Sequence, residues 1–281
     1  MAECRSLHYG PPEYRRKGPG KQPRRIDHPS DLLKRIQRRI HDLLVGALEA
    51  REYLFGGIPR RSTKDCASRH VGHRCLVALD IRDFFPSITE EMVARTFRRL
   101  GAARQVAALA ARLVTRDDGE TTQSFLPQGS PASSSVANFV LMDFDDELVR
   151  RVEAEHLKYS RYADDLFVSG ANPERLIRIV VGLLRRHGFR VSRGKLRVMR
   201  AGSAQTLLGL AVNKKVAPAS DFRRRTERMV TESEPGEAKA LAGSLKGRAA
   251  YARFAGGTYY RRIERHLLYL EARAPKLHGN R

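Results

Sequence analysis

Tryptophan is absent from the 281 residues, and cysteine occurs three times, at Cys4, Cys66 and Cys75. An odd number of cysteines without CxxC spacing excludes a disulfide framework and a zinc knuckle, and fits a reducing compartment. Without Trp, stacking on a nucleobase must use Tyr, Phe or Arg. No apolar run is long enough to span a bilayer, and no charged-then-apolar signal segment opens the chain. A cytoplasmic location without a membrane partner is expected. Acidic side chains are also scarce. Asp and Glu number 31 against 53 Lys and Arg, a formal net charge of +22. That excess is far beyond what solubility needs and points to a polyanion as partner. The length and the 41% apolar content suffice for one large domain or two to three lobes with a sizeable core.

Against this basic background the carboxylates that cluster stand out. Asp164 and Asp165 are adjacent, between runs that read as β-strands (Tyr159-Ser160-Arg161-Tyr162 and Leu166-Phe167-Val168). A tight turn can aim both at one small volume, where a divalent cation would relieve their repulsion; Asp is also an ordinary turn residue. Cys75-Leu76-Val77-Ala78-Leu79-Asp80-Ile81 is an apolar run ending at a carboxylate, a pattern that suits a buried strand carrying a reactive group at its tip. Three carboxylates from separate elements of a polyanion-binding protein suit two-metal phosphoryl chemistry, which leaves a nuclease or a polymerase.

Around these elements, residues 1–30 read as a basic extended arm or β-ribbon. Ser30 or Asp31 caps a helix with Leu32, Leu33, Ile36, Ile40, Leu43 and Leu44 at helical spacing, ended by Gly56-Gly57-Ile58-Pro59. Thr89 opens a second helix, a third begins near residue 102, and 131–151 reads as one long helix. Residues 173–187 read as helix, 196–200 and 206–212 as short strands, and 237–272 as a basic helical tail.

Four motifs occur in order: Leu79-Asp80-Ile81-Arg82-Asp83-Phe84-Phe85-Pro86-Ser87-Ile88, Leu126-Pro127-Gln128-Gly129, Tyr162-Ala163-Asp164-Asp165, and Gly188-Phe189 with Lys195 six residues on. Together they resemble the sequential palm motifs of reverse transcriptases, most closely the bacterial retron type, over about residues 15–255. The resemblance implies an α+β right-hand polymerase fold: a basic arm and fingers over 1–75, a palm of antiparallel sheet and helices with interleaved fingers elements over 76–230, and a short helical thumb over 231–281.

The resemblance further implies that Asp80 and Asp164 ligate two Mg²⁺ ions (Mn²⁺ is possible), with Asp165 and the Ile81 carbonyl completing the site. Asp83 matches a variable polar position suited to a salt bridge. Phe85 matches a steric gate against a ribose 2′-hydroxyl, or is a core aromatic. Gln128 and Gly129 match the loop against the incoming nucleotide. Lys195 matches a lysine that protonates the pyrophosphate leaving group, or is a surface phosphate contact. Arg24 and Arg25 match residues gripping the triphosphate, or give general nucleic-acid affinity. Nucleic-acid contacts are expected from Arg38, Arg39 and His70, from Leu208 and Gly209 in a primer-grip hairpin, and from Lys246 and Arg248 in the thumb; His70 is alternatively a core histidine.

The expected activity is RNA-directed DNA synthesis by two-metal nucleotidyl transfer. Its partners would be dNTPs, an RNA template and RNA–DNA duplex, and a cognate non-coding RNA. A separate effector protein and a part in antiphage defence are further expectations. The chain departs from the retron pattern at Cys66-Ala67-Ser68-Arg69-His70 and at Leu207-Leu208-Gly209. These departures put the template RNA in question; the alternatives are a defence-associated or orphan reverse transcriptase with template-independent or protein-primed synthesis, and a non-catalytic RNA-binding protein. No RNase H-like segment is expected beyond the thumb.

Overall fold

A computed structural model describes residues 7–15, 23–48, 51–117, 123–233 and 238–273, with side chains of the last segment from residue 241. Cys4 and much of the basic arm lie outside the described residues. The rest of the arm forms a ribbon in which β1 (Glu13–Arg15) pairs antiparallel with β2 (Arg24–Ile26), Tyr14 opposite Arg25. Helix α1 (Asp31–Leu48) buries Leu33, Gln37, Leu44 and Leu48, a stripe at helical spacing that leaves Arg38 and Arg39 exposed. Helix α2 (Thr63–Ser68) is opened by a reciprocal cap between Ser62 and Asp65, which satisfies two otherwise orphaned backbone donors.

Strand β3 (Cys75–Asp80) is buried along its whole length. Then follow α3 (Glu90–Arg99), capped by Thr89, α4 (Arg104–Val114), and a two-residue ladder of β4 (Arg116–Asp117) with β5 (Ser124–Phe125). The single helix expected over 131–151 is two, α5 (Ser133–Val140) and α6 (Met142–Ala154). They part at Leu141, a turn residue at φ −84° and ψ −1°. Strands β6 (Lys158–Tyr162) and β7 (Asp165–Gly170) form the expected hairpin. Helix α7 (Ile177–Arg186) leads to β8 (Arg197–Arg200), then to β9 (Thr206–Leu207), β10 (Leu210–Ala211) and β11 (Ala217–Pro218). Helices α8 (Ser220–Glu232), α9 (Ala238–Ala255) and α10 (Tyr260–Arg273) complete the chain. Helix α8 is not expected from the sequence: its stripe of Phe222, Thr226, Met229 and Val230 is at helical spacing but narrow among charged residues.

The main sheet runs β6-β7-β3-β8 and every pairing in it is antiparallel. Both of its faces are covered, so β3 carries no alternation. Val77 and Leu79 face a large core with α5, α6 and α7, while Leu76 and Ala78 face a smaller cluster with Cys66, Leu207 and Leu210. A third cluster joins Val230 of α8 to Leu245, Ala249, Ile263 and Leu270 of α9 and α10. Helix α8 thus packs with the C-terminal helices, although most of it lies before the expected boundary at residue 230. Among the described residues no helix is long and apolar enough to cross a membrane.

Candidate active site

Asp80 ends β3 directly opposite Asp165, the first residue of β7. Tyr162 pairs with Asp165, so Ala163 and Asp164 make a two-residue turn. The Ile81 amide donates to the Asp164 carbonyl at 3.0 Å, tying the turn to the end of β3. Ala163 sits at φ +55°, a left-handed conformation that is unfavourable for a residue with a Cβ. The turn is held from beneath. Phe55 N donates to the Arg161 carbonyl and Arg161 N to the Tyr53 carbonyl, at 2.9 and 2.8 Å. A Cβ on Gly56 would lie 2.4 Å from Ala163 N, so only glycine fits against the turn.

Under the same hairpin lies a charged residue without any exposure. The Arg161 guanidinium forks onto Asp145 of α6, with Nη2 to Oδ2 at 2.6 Å and Nε to Oδ1 at 3.0 Å. It also donates to Asn138 Oδ1 at 2.8 Å and to the Ala163 carbonyl at 3.3 Å. Tyr159 donates to Asp145 at 2.7 Å, and Asn138 Nδ2 donates to the Gly56 carbonyl at 2.9 Å. The pair's hydrogen-bonding capacity is thus used within the protein, the condition under which a buried charge pair is tolerated. Sequence reasoning missed Arg161, Asp145 and Gly56 as site residues. A lone Arg inside an apolar strand was the available signal, but its partner lies on a helix and nothing local identifies it.

The carboxylates themselves are poised for a cation. Burial pushes the Asp80 carboxyl up, opposed by a hydrogen bond from Lys195 and reinforced by the charge of Asp164. Asp165 is pushed up to about 7 by burial and by the charges of Asp164 and Asp80. Lys195 Nζ lies 2.7 Å from Asp80 Oδ2, whereas the buried Oδ1 has no partner. An orphaned carboxylate oxygen beside two further carboxylates fits a hard divalent ion. Among the described residues no group of three His, Cys, Asp or Glu side chains forms a ready-made cage. Mg²⁺ does not require one, since it commonly takes one or two carboxylates and completes its shell with water and phosphate oxygens.

Arg24, whose charge acts on Asp80, lines a cavity of about 440 Å³ with Phe85, Gln128, Gly129, Arg15 and Ser134. Four of the five residues expected at a nucleotide meet here. The fifth, Arg25, turns away: its Nε is 2.9 Å from Asp27 Oδ1 and its guanidinium lies over the Phe125 ring. Asp27 is buried and also takes Arg116, so Arg25 anchors the ribbon, which corrects its reading as a phosphate grip. Phe84 is buried against Phe189, and Phe85 is the half-buried ring that reaches the cavity. Gly129 has φ +115°, and a Cβ there would meet the Asp27 carbonyl at 2.1 Å; Asp27 N donates to the Gln128 carbonyl at 2.6 Å. The close approach that requires glycine is to the ribbon. Asp83 pairs with Arg82 on the surface at 3.3 Å.

Among the residues expected to touch nucleic acid, Arg38 and Arg39 are exposed on α1. Leu208 and Gly209, at φ +49° and +81°, form the turn between β9 and β10, and Tyr251 donates to the Gly209 carbonyl at 3.0 Å. Lys246 is 3.5 Å from Glu271, and Arg248 donates to Thr226 at 2.8 Å. His70 is a correction. It is fully buried, with Nδ1 2.7 Å from Ser169 Oγ and Nε2 2.6 Å from Ser160 Oγ. Its environment drives its pKa down to about 3, chiefly by burial. It is a core histidine that no RNA can reach in this structure.

Comparison with known proteins follows the same lines. The family model for reverse transcriptase (RNA-dependent DNA polymerase) matches residues 16–223. The retron Mx65 reverse transcriptase of Myxococcus xanthus is 32% identical over 258 residues, covering 86% of this chain and 60% of that protein. The retron Mx162 reverse transcriptase of the same organism is 30% identical, covering 81% and 54%. The retron Ec86 reverse transcriptase of Escherichia coli is 26% identical, covering 70% and 61%. The chain therefore spans between 54% and 61% of the length of these relatives. Among solved structures, telomerase from Candida albicans with a fragment of telomeric RNA aligns with 98% of this chain and 61% of its own, at TM-score 0.54 and 9% identity. Apo telomerase from Candida tropicalis aligns with 94% and 57%, at TM-score 0.54 and 14% identity. At such identities the likeness is one of fold, the α+β right-hand arrangement.

Proposed function

Because the chain belongs to the reverse transcriptase (RNA-dependent DNA polymerase) family, we propose that it is an RNA-directed DNA polymerase of retron type. We read its three parts as basic arm and fingers, palm, and helical thumb. The observation that carries the reading is the opposition of Asp80 and Asp165 across one ladder, with Asp164 in the adjoining turn and an unsatisfied buried oxygen on Asp80. Divalent ions, Mg²⁺ in this reading, would supply Lewis acidity toward the phosphate and the attacking hydroxyl.

The chain's own residues orient the reactants. A primer 3′-hydroxyl, or an RNA 2′-hydroxyl in retron-type priming, attacks the α-phosphorus of a dNTP. One P–O ester bond forms as the hydroxyl's proton passes to solvent water, the bond to the β-phosphate breaks, and diphosphate leaves with the electron pair. Asp80, Asp164 and the Ile81 carbonyl would hold the cations, and Asp165 would support the site from across the ladder. Arg24 neutralises phosphate, and Gln128 offers both a donor and an acceptor to the nucleotide. Phe85 fills the space a ribose 2′-oxygen would need. Lys195, beside Asp80, is positioned to donate a proton toward the departing diphosphate. The similarity to retron enzymes supports a structured RNA as template.

The test is extension of a primer on an RNA template with dNTPs and Mg²⁺. Wild-type protein should synthesise DNA, and the D164N/D165N variant should not. DNA synthesis by that variant would remove the metal assignment, and synthesis by wild type without any template would favour the template-independent alternative.

A further inference from the structure

Beyond Asp80 the ladder of β3 continues for two residues against the segment before β8. Ile81 bridges Val191 antiparallel, Ser192 N donates to the Asp80 carbonyl at 2.8 Å, and Arg82 N donates to the Arg190 carbonyl at 2.7 Å. Antiparallel partners share a face and alternate residues return to it. Asp80, Arg82, Arg190 and Ser192 therefore lie on one face, while Ile81 turns into the core. The result is two arginines in opposed register, immediately beyond the reactive carboxylate.

Like charges opposed across strands are unfavourable unless something neutralises them. Asp83 reaches Arg82 at 3.3 Å, but both are largely exposed. Neither Arg190 nor Arg193 has an acidic partner among the described residues. These side chains line a groove of about 1170 Å³ that starts at Asp80 and Lys195 and is walled further by Arg185. Its one aromatic, Phe189, is buried, so what the groove offers an anion is guanidinium, ammonium and backbone rather than an aromatic platform. It suits a compact polyphosphate without a base better than a nucleotide.

We propose that this groove is a pyrophosphate site, in which Arg82 and Arg190 clamp the diphosphate released at Asp80 and Arg193 draws it outward. The identity of the anion rests on the nucleotidyl-transfer reading above; the groove does not. Guanidiniums can bind phosphate oxygens in pairs, and these arginines line a groove that shares no lining residue with the nucleotide cavity.

The test is calorimetric titration of inorganic pyrophosphate into the full-length protein. Three forms are compared: wild type, R82Q/R190Q, and R150Q/R151Q, which removes the same charge from exposed positions on α6. The expected result is binding weakened about tenfold or more in R82Q/R190Q, the scale of one or two charge-assisted hydrogen bonds, and unchanged in R150Q/R151Q. Product inhibition of primer extension by pyrophosphate should weaken by the same factor. If R82Q/R190Q fails to fold by circular dichroism, R193Q, outside the ladder, carries the same expectation.

Equal loss in both double variants would mean only net charge is sensed and would overturn the proposal. So would unchanged pyrophosphate affinity accompanied by lost affinity for an RNA oligonucleotide, which would assign the groove to the nucleic-acid backbone. A wild-type protein that binds pyrophosphate through these arginines yet extends no primer would leave the groove standing and remove the polymerase reading.

Discussion

Asp145 and Arg161 hold each other in a site that water does not reach, and the Ala163 carbonyl just before Asp164 hangs from the same guanidinium. Removing one partner leaves the other charge buried alone. Asp145→Ala should therefore cost about 3–5 kcal/mol, read as a lower urea midpoint, and should weaken DNA synthesis even where the variant remains folded. His70 gives a pH dependence whose sign is fixed by its environment. Its folded pKa is depressed to about 3 from 6.5, so below pH 6.5 the unfolded chain takes up a proton that the folded chain refuses. Its contribution to stability is complete above pH 6.5 and declines toward pH 3 by up to about 1.4 kcal/mol per unit. Denaturant titrations of wild type and His70→Gln across that window should differ in slope. Phe85 is the ring that reaches the cavity, so Phe85→Ala should raise the use of rNTPs relative to dNTPs at least several-fold in primer extension, with some fall in melting temperature because the ring also packs on Phe84 and the core.

At the scale of elements, Gly129 joins two parts of the chain distant in sequence. Gly129→Ala would drive a Cβ into the Asp27 carbonyl, and backbone cannot yield as a flexible side chain can. The variant should lose at least about 1 kcal/mol from the left-handed φ alone, seen as a lower melting temperature, and the KM for dNTP should rise as the Gln128 loop separates from the ribbon. The elements themselves were largely legible. Apolar spacing marked α1, Thr89 marked the start of α3, and the hairpin was evident from its two apolar strands. Leu141 and α8 were not. A helix broken at a buried apolar residue keeps its periodic signal on both sides, and a helix with Phe222, Met229 and Val230 among charges has only a narrow stripe.

For the whole molecule, the net charge of +22 predicts strong, salt-sensitive nucleic-acid binding. If six to ten phosphates are neutralised, affinity for an RNA–DNA duplex should fall about 10³-fold or more between 50 and 200 mM salt, measurable by fluorescence anisotropy. A slope near zero would mean that the basic faces of α1 and the C-terminal helices do not touch the duplex.

The order of the motifs, the carboxylates at strand ends, the basic balance and the missing tryptophan were determined by the sequence itself. Each is a property of neighbouring residues or of the total, and local periodicity and charge need no partner to be read. Tertiary structure alone decided that Arg25 anchors the ribbon while Arg24 lines the cavity, and that His70 is core. It alone set Arg161 under the turn and opposed Arg82 to Arg190. Those outcomes depend on which distant surfaces meet when the sheet is covered on both faces. Close packing and the cost of an unpaired buried charge select such contacts across the chain, and neither is written in the residues on either side.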